Sequence, residues 1–119
     1  MNNFRFQNWK VYQDSKIFFK EILIINNNLS TDLKYSIGSQ LIRSSLSVTL
    51  NITEGAGKSS DKEINRFFNI SIGSIYETVA ILDILSENNH ISKEKYLKLT
   101  DTLGKIQNQL GGFKKRLKL

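Results

Sequence analysis

Apolar residues in this chain recur at intervals of three and four rather than at alternate positions, a pattern that predicts helices and no strands. The most regular run is Tyr96, Leu99, Leu103, Ile106, Leu110, Phe113 and Leu117, which steps by 3, 4, 3, 4, 3, 4 in the manner of a heptad seam. It predicts a last helix over about 92–117, with Ser92 as its N-cap. A first helix over about 8–28 carries Val11, Phe18, Ile22 and Ile25 on one stripe, with Tyr12, Phe19 and Leu23 beside it. Asn26, Asn27 and Asn28 then form a joint, Ser30 and Thr31 offer an N-cap, and Asp32 suits the positive end of a second helix over about 31–54. Gly55 to Ser59 form the next joint. Ser60, with Glu63 three residues later, has the form of a capping box and opens a third helix over about 61–88, which Asn88, Asn89 and His90 end. Segments of roughly 20 to 28 residues are about 30 to 40 Å long, and short joints force neighbours to run antiparallel. The expectation is an all-α, antiparallel up-down-up-down four-helix bundle, one domain over residues 1–119.

Composition narrows the chemistry. With 119 residues, 39% of them hydrophobic, the chain can bury a core without staples. It has no cysteine and a single histidine, His90, so disulfide scaffolds, zinc ribbons, iron–sulfur clusters and thiol nucleophiles are excluded, and neither a metal nor another cofactor is expected. The most apolar stretch, Ile17 to Ile25, is broken by Lys20 and Glu21 and is about half the ~20 residues of a membrane span, so no membrane partner and a cytoplasmic location are expected. The third segment carries Ile70, Ile72, Ile75, Tyr76, Val79, Ile81, Leu82, Ile84 and Leu85, more than one stripe of a helix can hold. That width, and the similar width of the first segment, point to self-association.

Several residue groups invite a catalytic reading. Gly55-Ala56-Gly57-Lys58-Ser59-Ser60 looks like the end of a phosphate-binding loop, but Ile52 stands where the leading glycine is needed and a helix, not a strand, precedes it. A glycine-terminated helix joint accounts for it better. Gln40, Arg43, Ser47, Asn51 and Glu54 form a polar stripe on the second segment, and Arg66, Asn69, Ser74 and Glu77 answer on the third. Together they read as a structural polar network, with an Arg43–Glu77 hydrogen bond fixing helix register. Glu54 and Glu77 lie about four turns apart along the hairpin, too far for an acid/base pair, so no catalytic residue is expected. Gly38, Gly73 and Gly104 fall inside helices, where each is unfavourable by roughly 1 kcal/mol relative to alanine, and they are expected to mark close helix approaches.

The net charge is +6, and residues 90–119 alone carry +6 while residues 59–89 carry −3. On the last helix Lys95, Lys98, Lys105 and Arg116 fall within about a quarter-turn of one another. Glu94 with Lys98 and Asp101 with Lys105 are i,i+4 pairs of the kind found on any solvated helix face. Lys114, Lys115, Arg116 and Lys118 have no acidic neighbours in sequence, and suit either the negative end of the helix or phosphate contacts. These seven cations are the candidate nucleic-acid-binding residues, for RNA or DNA. The alternative is a scaffold for a partner protein, with the lysines serving solubility.

Gln40-Leu41-Ile42-Arg43, Ser47-Val48, Asn51-Ile52-Thr53-Glu54-Gly55 and Phe68-Asn69-Ile70-Ser71-Ile72-Gly73-Ser74-Ile75-Tyr76-Glu77, with the aromatic opening Trp9 to Tyr12, resemble the four-helix bundle family of 23S rRNA intervening-sequence proteins. The family usually has two alanines after an Arg-Arg pair, where this chain reads Ile42-Arg43-Ser44-Ser45. The resemblance implies a ring-like homopentamer without enzymatic activity, often encoded within insertions in ribosomal RNA genes. Similar proteins serve as accessory subunits of diversity-generating retroelements, where a basic surface meets nucleic acid and a reverse transcriptase.

Overall fold

The computed structural model describes residues 3–119. A 3-10 turn, Arg5–Asn8, leads into α1, Lys10–Asn27; a single helical turn, α2, Thr31–Lys34, precedes α3, Ile37–Ala56; then follow α4, Asp61–Glu87, and α5, Lys93–Lys115. The expected caps form: Ser30, Ser60 and Ser92 each accept a hydrogen bond from the backbone N–H three residues on.

Cross-helix contacts give the topology. Asp14 meets Gln109 and Trp9 meets Phe113, so α1 and α5 run antiparallel. Ser44 meets Thr78, Ser47 meets Ser74 and Ser71 meets Val48, so α3 and α4 do too. Asn69 with Lys114 and Tyr76 with Gln107 show the same for α4 and α5. α1 packs on α3 and α5, and α4 packs on the same two, which leaves α1 and α4 diagonally opposed. The bundle measures 44 × 28 × 21 Å, the long axis set by the helices.

The core follows the stripes. Val11, Phe18, Ile22 and Ile25 of α1 are buried with Leu41, Val48 and Ile52 of α3, Phe68, Ile75, Leu82 and Leu85 of α4, and Leu99, Leu103, Ile106 and Leu110 of α5. Between α3 and α4 the filling is different: small hydroxyl residues let the two helices lie close. Ser71 Oγ donates to the Val48 carbonyl at 2.8 Å, Thr78 Oγ1 to Ser44 Oγ at 2.9 Å, and the Ser47 and Ser74 hydroxyls lie 2.7 Å apart.

Three expectations are corrected. The second helix is broken at Tyr35–Ser36, because the Ser36 hydroxyl takes the Asp32 carbonyl at 2.7 Å and competes with the helical pattern. Among the glycines named, only Gly38 is a close approach: a Cβ there would collide with Asn26 Oδ1 and lie 2.9 Å from the Leu33 carbonyl oxygen, whereas at Gly73 or Gly104 it would meet nothing within 4 Å. The close approach that the sequence hides is Gly55, where a Cβ would lie 2.7 Å from the Phe68 ring. The glycine-terminated joint forms as expected, Gly57 capping α3 at φ −86°, while Asn89, at φ 63°, is the left-handed residue of the next joint. Finally, α4 rather than α1 comes nearest to a membrane span by composition, with a mean hydropathy of 1.4 over 18 residues, yet its Ser71, Ser74 and Thr78 are bonded to α3 within the bundle.

Candidate nucleic-acid interface

The polar network forms in part. Ser47 and Ser74 are joined, and Asn51 Nδ2 donates to both the Ser47 carbonyl and Oγ, at 2.9 and 3.0 Å. Arg43 and Glu77 both stand exposed, and no ion pair joins them; the register that they were expected to fix is held by the buried hydroxyls beside them, Ser44 and Thr78. An exposed pair would add little in any case, because water screens it and two long side chains must be ordered. Gln40 is exposed, Glu54 turns to Lys58 at 3.7 Å, and Asn69 accepts from Lys114 Nζ. Glu54 and Glu77 share no site.

The seven cations of the last segment do not form one patch. At 100° per residue, Lys98, Lys105 and Arg116 share the flank of α5 that carries Gln109, whose amide donates to Asp14 of α1 at 2.8 Å. Lys114 and Lys118 fall on the other flank, toward α4: Lys114 reaches Asn69, and the Lys118 backbone N–H donates to Asp61 Oδ2 at 2.9 Å. Lys95 and Lys98 also lie roughly 25 to 30 Å up the helix from Lys115. At that end Asp83 and Glu87 line a cleft with Lys93, and Lys105 is paired with Asp101 at 3.2 Å.

What folding brings together is one end of the bundle. The 3-10 turn, the start of α1, the α3–α4 joint and the close of α5 meet there through Trp9, Phe113 and Phe68, with ring centroids 4.9 Å apart for the first pair and 5.7 Å for the second. Arg5, Lys10, Lys58, Lys62 and Arg66 therefore join Lys114, Lys115, Arg116 and Lys118. The acidic residues at this end are engaged: Asp14 with Lys10 at 2.7 Å, Glu54 with Lys58, Glu63 with Arg66 at 3.1 Å, and Asp61 with the Lys118 N–H. Lys62, Lys115 and Arg116 remain exposed with no ion pair among the described residues. Asp14 is the one described group whose carboxyl clearly shifts. Burial pushes it up, but hydrogen bonds from Lys10 and Gln109 and the charges of Lys10 and Lys105 outweigh this and hold it below the usual carboxylate range.

Aromatic rings are interleaved with these charges. A cleft of about 500 Å³ opens between Phe4, Arg5, Phe6 and Trp9 on one side and Thr53, Ala56 and Gly57 on the other. Phe67, half-buried, carries Lys58 Nζ at 5.1 Å and Arg66 Cζ at 4.3 Å over its ring. Sequence reasoning missed Lys58, Lys62 and Arg66 because they stand in or beside the one segment with a net negative charge. The available signal was position: the α3–α4 joint and the close of α5 must share an end in any up-down bundle.

The model of the 23S rRNA-intervening sequence protein family matches residues 7–112. A crystal structure at 1.70 Å of a protein of unknown function from the S23 ribosomal protein family, from Bacteroides thetaiotaomicron, superposes with a TM-score of 0.82. It is 24% identical, and the match covers 88% of this chain and 98% of that one, a likeness of fold. No curated protein gives a significant match.

Proposed function

The chain belongs to the 23S rRNA-intervening sequence protein family, and within it we propose that this protein is a non-enzymatic binding module for nucleic acid, RNA in particular, that acts as a homo-oligomer. The observation that carries this reading is the gathering of cations from four chain segments at one end, where the local acids are already engaged and Lys62, Lys115 and Arg116 stand free of ion pairs among the described residues. A phosphate backbone is the ligand that such a surface attracts over distance. Lys114, Lys115, Arg116 and Lys118 are its proposed contacts. Lys95, Lys98 and Lys105, higher on α5, are its outlying support.

The test is fluorescence anisotropy of a labelled, structured RNA across a salt series, with the quadruple variant Lys114→Gln, Lys115→Gln, Arg116→Gln and Lys118→Gln alongside. Binding should fall with a log–log slope of roughly −0.7 to −0.9 per phosphate contact, and the variant should bind more weakly with a flatter slope. Absence of binding at low salt would sink the reading. A second reading, a scaffold for a partner protein, is favoured by the exposed apolar residues Ile17, Ile24, Leu50 and Ile84. Docking through these would be nearly indifferent to salt, so the same series separates the two.

A further inference from the structure

Arg66, at the basic end, is held by an aromatic ring as well as by an ion pair. Arg66 Cζ lies 4.3 Å from the centroid of the Phe67 ring, and its Nε donates to Glu63 Oε2 at 3.1 Å. Two contacts thus hold a guanidinium whose side chain is still 58% exposed. Glu63 also neutralises it, so a phosphate would gain little from this residue. More than half of the side chain stays open to solvent, and a planar guanidinium can stack on a base whatever the net charge. Lys58, at 5.1 Å from the same ring, and Lys62, one helical turn before Arg66 and exposed, flank the pair. Asn69, three residues after Arg66, holds Lys114, so the pair is continuous with the basic tail.

We propose that the Phe67–Arg66 pair is a stacking platform for one unpaired nucleobase, with Lys62, exposed and without an ion pair among the described residues, set to meet the adjoining phosphate. The inference rests on the nucleic-acid reading above and adds a preference to it: looped or single-stranded segments over continuous duplex. A base inside a duplex gives its faces to its neighbours and has none to offer a platform. Arginine is needed here and lysine is not equivalent, because an ammonium carries the charge without the plane.

Two labelled RNAs of equal length, a hairpin with an unpaired loop and a blunt duplex, would be titrated at one salt concentration with the wild-type chain, with Arg66→Lys and with the quadruple tail variant. A 2-aminopurine in the loop reports stacking independently of affinity. Wild type should prefer the hairpin and quench the 2-aminopurine. Arg66→Lys should lose about tenfold on the hairpin, lose the quench, and keep its duplex affinity. The tail variant should weaken both RNAs. Equal binding of the hairpin by wild type and Arg66→Lys overturns the platform while leaving the tail contacts standing. An equal loss on both RNAs also overturns it, since Arg66 would then be a phosphate contact. If wild type binds neither RNA, the nucleic-acid reading falls and the platform with it. Arg66 is largely exposed, and matched thermal melts of the two proteins would show that Arg66→Lys still folds.

Discussion

A glycine inside a helix means opposite things at different places in this bundle. At Gly55 the missing side chain is required, because a Cβ would lie 2.7 Å from Phe68 Cε1, a ring that is itself buried in the core. At Gly104 it is not, since a Cβ would meet nothing within 4 Å. Gly55→Ala should therefore lower stability by about 1–2 kcal/mol, overpacking outweighing the gain in helix propensity, while Gly104→Ala should raise it by up to about 1 kcal/mol. Urea unfolding of the two variants checks both signs, and a destabilised Gly104→Ala would show that the open face is occupied by something outside this chain. Neither outcome was legible in the sequence. Gly55 reads there as the first residue of a joint, and Gly104 as an interior glycine with the same claim to a tight contact as Gly38. Propensity is local, whereas the atom that a Cβ would strike comes from another helix.

At the scale of helices, legibility depended on how many residues carried the signal. The heptad seam is spread over seven positions, six of them within α5, and Leu99, Leu103, Ile106 and Leu110 are fully buried. The break between α2 and α3 turns on the hydroxyl of Ser36, and a periodicity argument passes over a single residue. The α3–α4 seam misled for another reason: Arg43 and Glu77 offered the stronger charges, but the buried positions went to their neighbours Ser44 and Thr78, which are small enough to sit between close helices. The α1–α5 contact shows where a charge does act. Asp14, held between Lys10 and Gln109, is 26% exposed and keeps its carboxyl ionised below its ordinary value. A group depressed in the folded state contributes stability that is complete above its unfolded value, near pH 4, and is lost as pH falls through the folded one. Asp14→Asn should thus lower stability by about 1 kcal/mol at pH 7. The difference from wild type should shrink on acidification to pH 2, as read by urea midpoints at the two values.

For the whole molecule, the informative property is where the surplus apolar surface lies. Ile17, Leu23 and Ile24 of α1 are 61%, 41% and 54% exposed, and on α4 and the neighbouring rim of α3 so are Ile70, Ile84 and Leu50, at 40%, 48% and 52%. Because α1 and α4 are diagonal in the bundle, these are two separate patches on opposite sides rather than one. A twofold dimer uses a single patch that meets its own copy; a closed ring uses two different patches, each meeting the other. A ring of the kind that the family resemblance implies would use both patches, and a twofold dimer only one. That difference makes the two symmetries distinguishable by mutation. Light scattering at micromolar concentration should return a multiple of 13.7 kDa for the wild-type chain. Ile24→Glu on α1 and Ile84→Glu on α4 should each reduce it to the single-chain mass, with helical content kept, because breaking either half of a heterologous contact opens every interface in the ring. If only one of the two variants dissociates, the assembly is built on one patch and is a twofold dimer. A wild-type chain that scatters as 13.7 kDa would remove self-association altogether, leaving both apolar faces for partners of another kind.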